Sequence, residues 1–396
     1  MANLTNVRLA TAKETPKVPN FIKISIYAAA DYTGNSDQII LLMPPASKKT
    51  KNKGEWSEAY ALVNLAIQKE LYACDRTLQF LGPANNYQID HLILDAQSTP
   101  HNKIILTPDT NSIKVKHGGA TVIIQDSELK EVSDIILDKI KGSSGTFEIP
   151  EVENFWIKLF NPKLKSKSGS KRDLTVAVKN NNGHTATYGF SVKSDLGNKP
   201  SLLNASQATN FLFKAPANFA PNPEPIEAKE LGRAVKGLPL QLLGPSNAIY
   251  KGNIDAISSD LGSLLSEILL EYYGSLSGVS NLKDLLGLVQ QRNPLNLQDI
   301  NYYKVILVQF LEATALGMVP NKTWNKTFDA DGGLIIVKKN GELAAFFRQD
   351  KKAHDELLEY LADNTLLETA SKSRHKFGKL QADKSFKLNL QIRTKD

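Results

Sequence analysis

Apolar and polar positions alternate most clearly in residues 171–194, where the pattern predicts a β-hairpin. The predicted strands are DLTVAVK (173–179) and TATYGFSV (185–192), which are rich in the β-branched and aromatic residues that suit a pleated surface. Between them stands NNNGH, a run of residues that tolerate the left-handed backbone of a tight turn. We therefore expect two antiparallel strands joined by a short loop.

The length of this loop decides which residues face one another. A two-residue turn would place Asp173 opposite Val192, on the other face from its polar neighbours. A three-residue loop, with Gly183 left-handed, instead places Asp173 opposite Ser191. Lys193, two residues further along, shares the face of Ser191. We predict the three-residue loop, which gathers an aspartate, a serine and a lysine.

Such a trio is typical of metal-dependent phosphodiester hydrolysis. Asp173 offers a hard oxygen ligand to Mg²⁺, which accepts one or two carboxylates plus waters. Lys193 could orient the attacking water or stabilise charge at phosphorus. Ser191 stands where such sites usually carry an acid, so we expect a second carboxylate from elsewhere. The structural alternative is an aspartate that only begins a strand and a solvated lysine.

Residues 51–73 show helical periodicity and supply a second carboxylate. Apolar residues recur along one face: Trp56, Tyr60, Val63, Ile67 and Leu71. Glu58 lies in a second row, with Leu62 and Leu65, so it is expected to point into the protein, where an unpaired charge is unfavourable. A metal ion or a buried basic partner would satisfy it. Glu55, near the helix start, is expected to cap the helix.

Helical and strand-like patterns recur through the rest of the chain. Further strands are predicted at 92–95, 103–107, within 114–125, at 386–393, and in a hairpin at 333–348 that turns at Asn340-Gly341. Helices are predicted at 127–142 with Ser127 as cap and Gly142 as stop, at 149–160, from Asn204 or Ser206, and near 254–273, 280–291, 299–316 and 351–363. This order predicts a mixed α/β fold, with a central mixed sheet flanked by helices.

Three polar segments are candidate nucleic-acid contacts. The stretch 161–172 has five basic residues and no acidic one, and it ends in Lys171 and Arg172. Arg374 and His375 lie in a polar, basic loop near the C-terminus. The predicted strand 386–393 has one apolar face, and its other face presents side chains that hydrogen-bond bases and phosphates: Lys387, Asn389, Gln391 and Arg393. Solvated polar surface is the alternative for each segment.

Composition and charge restrict the class of protein. The chain has 396 residues, a net charge of +7 and a pI near 9.1, which suit a polyanionic partner but also occur in proteins that bind none. Its single cysteine, Cys74, excludes an internal disulfide and a cysteine-rich zinc site, and its apolar context predicts a buried, inert thiol. The sequence shows no signal peptide and no membrane-spanning run, so we expect a soluble cytoplasmic protein.

Several blocks of sequence resemble the HpaII family of type II restriction endonucleases, within the PD-(D/E)XK nuclease class. In chain order they are NKGEWSEAYALV, GFSVKSDLG, SLLNASQATNF and SRHKFGKLQADKSFKLNLQIR, spread over about residues 50–393. The resemblance implies a restriction-endonuclease-like core. We expect an extension at 1–50, the nuclease core at 51–213, and a helical region with a C-terminal strand at 214–396 that recognises DNA.

The same resemblance implies an activity and partners. It implies Mg²⁺-dependent cleavage of double-stranded DNA at a short palindrome, in a restriction-modification system with a cognate DNA methyltransferase. The family's type member reads CCGG, and the sequence leaves open whether this chain reads the same site. We expect a homodimer with two active sites; a monomer that cuts the strands in turn is the alternative.

The resemblance also carries residue roles onto this chain. The implied catalytic set is Glu58, Asp173, Ser191 and Lys193, in which Asp173, Glu58 and Ser191 are the expected metal ligands. Ser191 at the usual acidic position leaves the number of metal ions open. The expected DNA contacts are Lys171, Arg172, Asn204, Ser206, Arg374, His375, Lys387, Gln391 and Arg393.

Two other functions are compatible with these residues. Because Ser191 weakens the metal site, the chain could be a sequence-specific DNA-binding protein on the same fold with weak or no cleavage. A structure-selective or repair nuclease is a third class. Mg²⁺-dependent cleavage into defined fragments distinguishes a restriction endonuclease from both.

Overall fold

The computed structural model describes residues 50–95, 103–117, 119–152, 155, 170–179, 183–222, 227–276 and 278–395. Nearly all of the predicted extension at 1–50, most of the predicted helix at 149–160, and the basic stretch up to residue 169 lie outside the described residues. Within the described ranges, no helix combines the length and apolar character needed to cross a membrane.

A mixed sheet of nine strands organises the structure. Its strands, in spatial order, are β14 (Leu343–Phe347), β13 (Gly333–Val337), β9 (Thr185–Ser194), β8 (Leu174–Lys179), β3 (Asn86–Asp95), β4 (Lys103–Pro108), β5 (Ser112–His117) and β6 (Ala120–Gln125), with β2 (Glu70–Tyr72) also paired to β3. Neighbouring strands are antiparallel except β13 and β9, which are parallel.

Smaller sheets and helices complete the described fold. The small sheets are β1 (Lys51–Asn52) with β7 (Thr146–Phe147); β10 (Ser201–Leu203), β17 (Ile392–Thr394) and β15 (Thr365–Leu367); and β12 (Gln241–Pro245), β11 (Asn210–Lys214) and β16 (Ser385–Asn389). The helices are α1 (Lys53–Gln68), α2 (Asp126–Gly142), α3 (Ala228–Ala234), α4 (Ala248–Asp255), α5 (Leu261–Gly274), α6 (Leu282–Arg292), α7 (Tyr302–Leu316), α8 (Lys351–Asp363) and α9 (Lys372–His375). The predicted mixed α/β fold is confirmed.

Two hydrophobic cores meet at the β13–β14 hairpin. The first core packs α1 and α2 against the sheet, and the second lies among the C-terminal helices and strands. Ile335 and Phe347 belong to the first core, whereas their neighbours Leu334 and Phe346 belong to the second. Every residue of both strands is buried. Burial on both faces explains why neither strand alternates apolar with polar residues.

The β13–β14 hairpin also connects the predicted nuclease core with the predicted region that follows residue 213. β13 and β14 come from the predicted region 214–396, yet they extend the sheet that carries β8 and β9. The hairpin was predicted at Asn340-Gly341, and Gly341 has a left-handed φ of 96° in its turn. The sheet therefore crosses the boundary predicted at residue 213.

The β8–β9 hairpin has the predicted register. Leu174 lies opposite Phe190 and Lys179 opposite Thr185, so the next position places Asp173 opposite Ser191. Gly183 has a φ of 80°, as the three-residue loop requires, although residues 180–182 lie outside the described part of the chain. The register predicted from the turn residues is confirmed.

The helix predicted from Asn204 or Ser206 is wrong. A short 3₁₀ turn at Gln207–Thr209 connects β10 to β11 instead. In β11, Phe211 and Phe213 alternate into the second core while the strand pairs on both edges, with β12 and β16. Pairing on both edges satisfies the backbone as a helix would, so tertiary contacts decide the conformation.

The single strand predicted at 386–393 is also wrong. The chain forms β16, interrupts the ladder at Leu390 and Gln391, and continues as β17 in a different sheet. The N–H of Leu390 donates to the carbonyl of Thr209, whereas the carbonyl of Gln391 accepts the N–H of Glu368 next to β15, so the backbone passes between the two sheets at these residues. The apolar side chains Phe386, Leu388, Leu390 and Ile392 all pack into the second core, but Asn389 and Gln391 between them are buried as well, so the predicted polar face is not exposed there.

Two predicted helices and one predicted cap differ from the structure. The helical pattern of residues 51–73 forms α1 only over Lys53–Gln68, and Glu70–Tyr72 form β2 instead. The helix predicted at 254–273 is divided between α4 and α5. Ser127 does not cap α2, because the helix already begins at Asp126 and its N-cap residue, Gln125, makes no side-chain capping bond. Gly142 ends this helix, as predicted.

Cys74 is buried, and burial raises the pKa of its thiol. A raised pKa disfavours the reactive thiolate. The predicted burial of this thiol is confirmed, and its inertness stays a prediction.

Candidate active site

Asp173 is held immediately before β8. Its backbone N–H donates to the carbonyl of Phe190 (2.8 Å). Its Oδ2 accepts hydrogen bonds from the N–H of Val192 (2.7 Å) and the hydroxyl of Ser191 (3.2 Å). No described residue donates to Oδ1. The protein therefore fixes one carboxylate oxygen and leaves the other available to a ligand.

Ser191 joins Asp173 to Lys193. The ammonium of Lys193 donates to Ser191 Oγ (2.9 Å) and to the carbonyl of Val192 (3.1 Å), and Ser191 is fully buried. Because Phe190 and Val192 pack into the first core, the alternating residues Ser191 and Lys193 are directed to the opposite face of β9. The predicted meeting of the three side chains is confirmed by these bonds, whereas their catalytic roles stay predictions.

Helix α1 brings Glu58 to the same site. A capping box begins the helix: the side chain of Asn52 accepts from the N–H of Glu55 (3.0 Å), and Glu55 accepts from the N–H of Asn52 (2.9 Å). The capping role predicted for Glu55 is confirmed. One residue before Glu58, the hydroxyl of Ser57 donates to that of Ser194 at the end of β9 (2.8 Å). This contact fixes the helix against the strand that carries Lys193.

The environment of Glu58 is electrostatically unfavourable for a carboxylate. Burial and the nearby charge of Asp173 raise the pKa of Glu58 from 4.5 to about 8, and the ammonium of Lys193 opposes this rise. At neutral pH, Glu58 is therefore mostly protonated in the absence of a further positive charge. A divalent cation would favour the ionised form of Glu58 beside Asp173, so this electrostatic arrangement fits a metal site.

The donor set also indicates which kind of ion fits. Among the residues that the structure describes, no three of His, Cys, Asp and Glu cluster as a metal site. Glu58, Asp173 and Ser191 would offer two carboxylates and a hydroxyl. Mg²⁺ suits such a set because it prefers oxygen and keeps several waters, whereas zinc sites usually supply three or four protein ligands.

Lys171 and Arg172 lie beside this site, and both are engaged by the protein. The ammonium of Lys171 donates to the carbonyl of Leu202 (3.1 Å). Burial and the nearby ammonium of Lys193 lower the pKa of Lys171 to about 8. Arg172 Nε donates to the carbonyl of Asp329 (2.8 Å). Both side chains, which were predicted to contact DNA, already have hydrogen-bond partners within the fold.

The predicted contacts Asn204 and Arg374 are exposed, and the structure links their segments. Asn389 is buried, and its amide donates to the carbonyl of Ser206 (2.8 Å) and to the side chain of Asn210 (2.7 Å). The amide of Asn210 in turn donates to the carbonyl of His375 (2.9 Å). This polar network brings together two segments that lie far apart in sequence.

The predicted polar face of the C-terminal strand is not a continuous surface. Gln391 is buried with 8% exposure, and Arg393 pairs with Glu368 (2.5 Å) and donates to the carbonyl of Lys199 (2.7 Å). The interrupted strand is the reason, since Gln391 lies at the break. Lys387 remains partly exposed and lines a cavity of about 400 Å³ together with Lys376 and Lys379.

Sequence reasoning missed the loop that contains Asp329 and Asp331. This loop precedes β13 and contacts the residues immediately before Asp173. The run FDADGG contains two acids and two glycines, which is a signal of a polar turn and of nothing more specific. Only the parallel pairing of β13 with β9 brings this loop to the site.

A mixed sheet that carries Asp173 and Lys193, with Glu58 on the adjoining helix, is the arrangement expected of a metal-dependent nuclease. The sequence profile of the HpaII restriction endonuclease family matches residues 52–394, and the chain belongs to that family. It is therefore a restriction endonuclease, a site-specific nuclease class that acts on double-stranded DNA and generally uses divalent metal ions.

One curated relative is the type II restriction enzyme HpaII of Haemophilus parainfluenzae. It is 33% identical to this chain over 357 residues, which cover 86% of the chain and 98% of the relative. No solved structure matches the chain.

Proposed function

We propose that this protein hydrolyses phosphodiester bonds of duplex DNA at a short palindromic site in the presence of Mg²⁺. The observation that carries this proposal is the hydrogen-bonded set Asp173–Ser191–Lys193, with Glu58 close enough for its pKa to respond to both charges. Family membership and the two-acid, one-lysine donor set support the same conclusion.

Asp173 and Glu58 would hold the metal ion. When bound, the ion supplies a Lewis acid that neutralises charge on the phosphoryl group and makes water more nucleophilic. Asp173 has one oxygen held by Val192 and Ser191, so its free oxygen is oriented before any ligand arrives. Glu58 becomes fully ionised at neutral pH only when a cation compensates for Asp173.

Lys193 would act at the attacking water or at the phosphate. Its ammonium is positioned by Ser191 and the carbonyl of Val192, so it presents a fixed positive charge beside Asp173. Such a charge stabilises the negative charge that develops on phosphate. Ser191 would hold Asp173 and Lys193 in place through its two hydrogen bonds, and its oxygen would be the third ligand offered to the metal ion.

Membership of the HpaII family, whose type member reads CCGG, leads us to propose CCGG as the first recognition site to test. We further propose a homodimer, since a palindrome offers each subunit an equivalent half-site. A cognate DNA methyltransferase would protect the host sequence, and both enzymes would act on DNA in the cytoplasm.

The decisive experiment incubates purified protein with mapped, unmethylated phage DNA and Mg²⁺, and sequences the ends. Defined fragments cut at CCGG are the expected result, with no cutting in EDTA and none by Lys193→Ala or Asp173→Ala. Specific binding without turnover would favour the DNA-binding alternative. Cutting only at branches or lesions would indicate a structure-selective nuclease.

A further inference from the structure

The two basic residues before Asp173 contact two different parts of the fold. Lys171 reaches the carbonyl of Leu202 in β10 (3.1 Å). Arg172 reaches the loop before β13, where its Nε donates to the carbonyl of Asp329 (2.8 Å). The N–H of Lys171 also lies 3.4 Å from the Asp329 carboxylate. The segment that leads into Asp173 is therefore held by hydrogen bonds to β10 and to the loop before β13.

The side chain of Arg172 packs directly against Gly189. A Cβ atom at this position would stand 2.1 Å from Arg172 Nε and 2.5 Å from the carbonyl oxygen of Asp329. The N–H of Gly189 donates to Asp331 Oδ1 (2.7 Å), and the same oxygen lies 3.5 Å from the Arg172 guanidinium. Glycine is thus required here by close approach, because any larger residue would displace the arginine.

The same loop is joined to the backbone that holds Asp173. The N–H of Gly332 donates to the carbonyl of Gly189 (2.7 Å). The next residue of β9, Phe190, accepts the N–H of Asp173 through its own carbonyl (2.8 Å). Arg172, Asp331 and Gly189 consequently form one connected set of contacts that ends at the catalytic aspartate.

We propose that Arg172 is a positioning residue, which acts with Asp331 and Gly189 to fix the carboxylate of Asp173, and is not a contact to DNA phosphate. This inference rests on the proposed nuclease function and replaces the DNA-contact role predicted for Arg172 from the sequence. The Asp331 carboxylate balances the guanidinium, so the pair presents little net charge to a polyanion. The Nε bond to a backbone carbonyl adds a directional constraint that a phosphate contact would not need.

The test compares Arg172→Ala, Arg172→Lys, Asp331→Ala and Asp331→Asn with the unmodified full-length protein. Single-turnover cleavage is measured in Mg²⁺, and the dissociation constant for cognate DNA is measured in Ca²⁺ over a range of salt concentrations. Lys141→Ala, an exposed lysine on α2, is the control for loss of one positive charge. Thermal unfolding identifies any variant that fails to fold.

Arg172→Ala and Asp331→Ala should each slow single-turnover cleavage by about 100-fold, the size expected for a displacement of about 1 Å at a reacting group. DNA affinity and its salt dependence should match the unmodified protein and Lys141→Ala. Arg172→Lys should stay impaired, because lysine lacks the planar donors that serve Asp329 and Asp331 together. Asp331→Asn keeps an acceptor oxygen and should recover most of the lost rate.

Three results would overturn the inference. A salt slope lowered by about one unit in Arg172→Ala would identify a phosphate contact. Full activity of Arg172→Lys would mean that only positive charge matters. A raised Mg²⁺ requirement in Asp331→Asn, absent from Arg172→Ala, would make Asp331 a metal ligand. If an alanine variant unfolds, Arg172→Lys and Asp331→Asn carry the test. An unmodified protein that does not cleave DNA would refute the proposed function itself, a result separate from these.

Discussion

Among the residues of the candidate site, Glu58 has the pKa that is shifted furthest from its ordinary value. Its side chain is half-buried on α1, and the charge of Asp173 adds to the effect of desolvation in raising its pKa to about 8. A structural acid would be expected to find a basic partner inside the fold. Lys193 is instead hydrogen-bonded to Ser191 and Val192, which leaves Glu58 in need of a cation.

Without divalent ions, Glu58→Gln should stabilise the protein at pH 8. A carboxyl whose folded pKa exceeds its unfolded value contributes stability below about pH 4.5, and this contribution is lost as the pH rises toward 8. In EDTA, unmodified protein should therefore lose stability between pH 5 and 8 relative to the variant, by on the order of a few kcal/mol. Urea unfolding at several pH values measures the difference.

Adding Mg²⁺ should reduce the difference in unfolding free energy between the two proteins, because the ion stabilises the unmodified protein. The Glu58→Gln variant should also need more Mg²⁺ for any cleavage. A difference between the two proteins that does not change with pH would contradict this account. An unfolded Glu58→Gln protein would assign Glu58 a purely structural role.

Asp173→Asn should abolish cleavage while DNA binding is retained or tightened. The substitution keeps the size of the side chain but removes a negative charge beside the DNA phosphate, so repulsion falls while metal ligation is lost. Electrophoretic mobility shift in EDTA and cleavage in Mg²⁺ measure the two effects. Normal cleavage by this variant would remove Asp173 from the mechanism.

At the scale of elements, the C-terminal segments show how burial separates two residues with the same predicted role. Arg374 lies exposed on α9, in the segment that Asn210 holds next to the turn at residues 204–209. Gln391 is buried where β16 gives way to β17. Of the two, only Arg374 has a side chain that is accessible to a partner in this conformation.

Arg374→Ala should weaken binding to cognate DNA by about 1–3 kcal/mol and relax discrimination at one base pair, if it reads a base. Gln391→Ala should leave DNA discrimination unchanged and lower the stability of the protein by about 1 kcal/mol. Competition binding with single-base variants of the site, together with urea unfolding, separates these outcomes. A loss in Arg374→Ala that is uniform across sequences would indicate a phosphate contact.

At the scale of the whole molecule, the β13–β14 hairpin makes the two cores dependent on one another. Phe346 and Phe347 are neighbours in sequence but pack into different cores. The hairpin comes from the part of the chain predicted to recognise DNA, and it completes the sheet that holds Asp173 and Lys193. The predicted DNA-recognition region therefore contributes two strands to the sheet that carries the candidate active site.

Phe346→Ala and Phe347→Ala should each destabilise the protein by about 3–5 kcal/mol, the usual effect of truncating a buried phenylalanine. Because the hairpin joins both cores, each variant should still unfold in a single transition. Tryptophan fluorescence and far-UV circular dichroism, followed in the same urea titration, should report coincident midpoints. Two separate transitions would mean that the cores fold independently.

The sequence alone was sufficient for features that depend on neighbouring residues. Turn residues and strand periodicity predicted the pairing of Asp173 with Ser191, because a left-handed glycine restricts the register to one choice. The helical pattern within residues 51–73 placed Glu58 on a partly buried face of α1, and Glu55 as the cap, because both follow from helix geometry. The mixed α/β fold follows from the order of such elements.

The tertiary structure decided the features that depend on residues distant in sequence. The pairing of β11 between β12 and β16 overruled the predicted helix, and the transfer of the chain between sheets buried Gln391. Arg172 carries a charge that suggests DNA, yet its partners come from a loop about 157 residues away. Local patterns reveal backbone conformation and burial, whereas the partner of a polar side chain is determined only when the whole fold brings the two together.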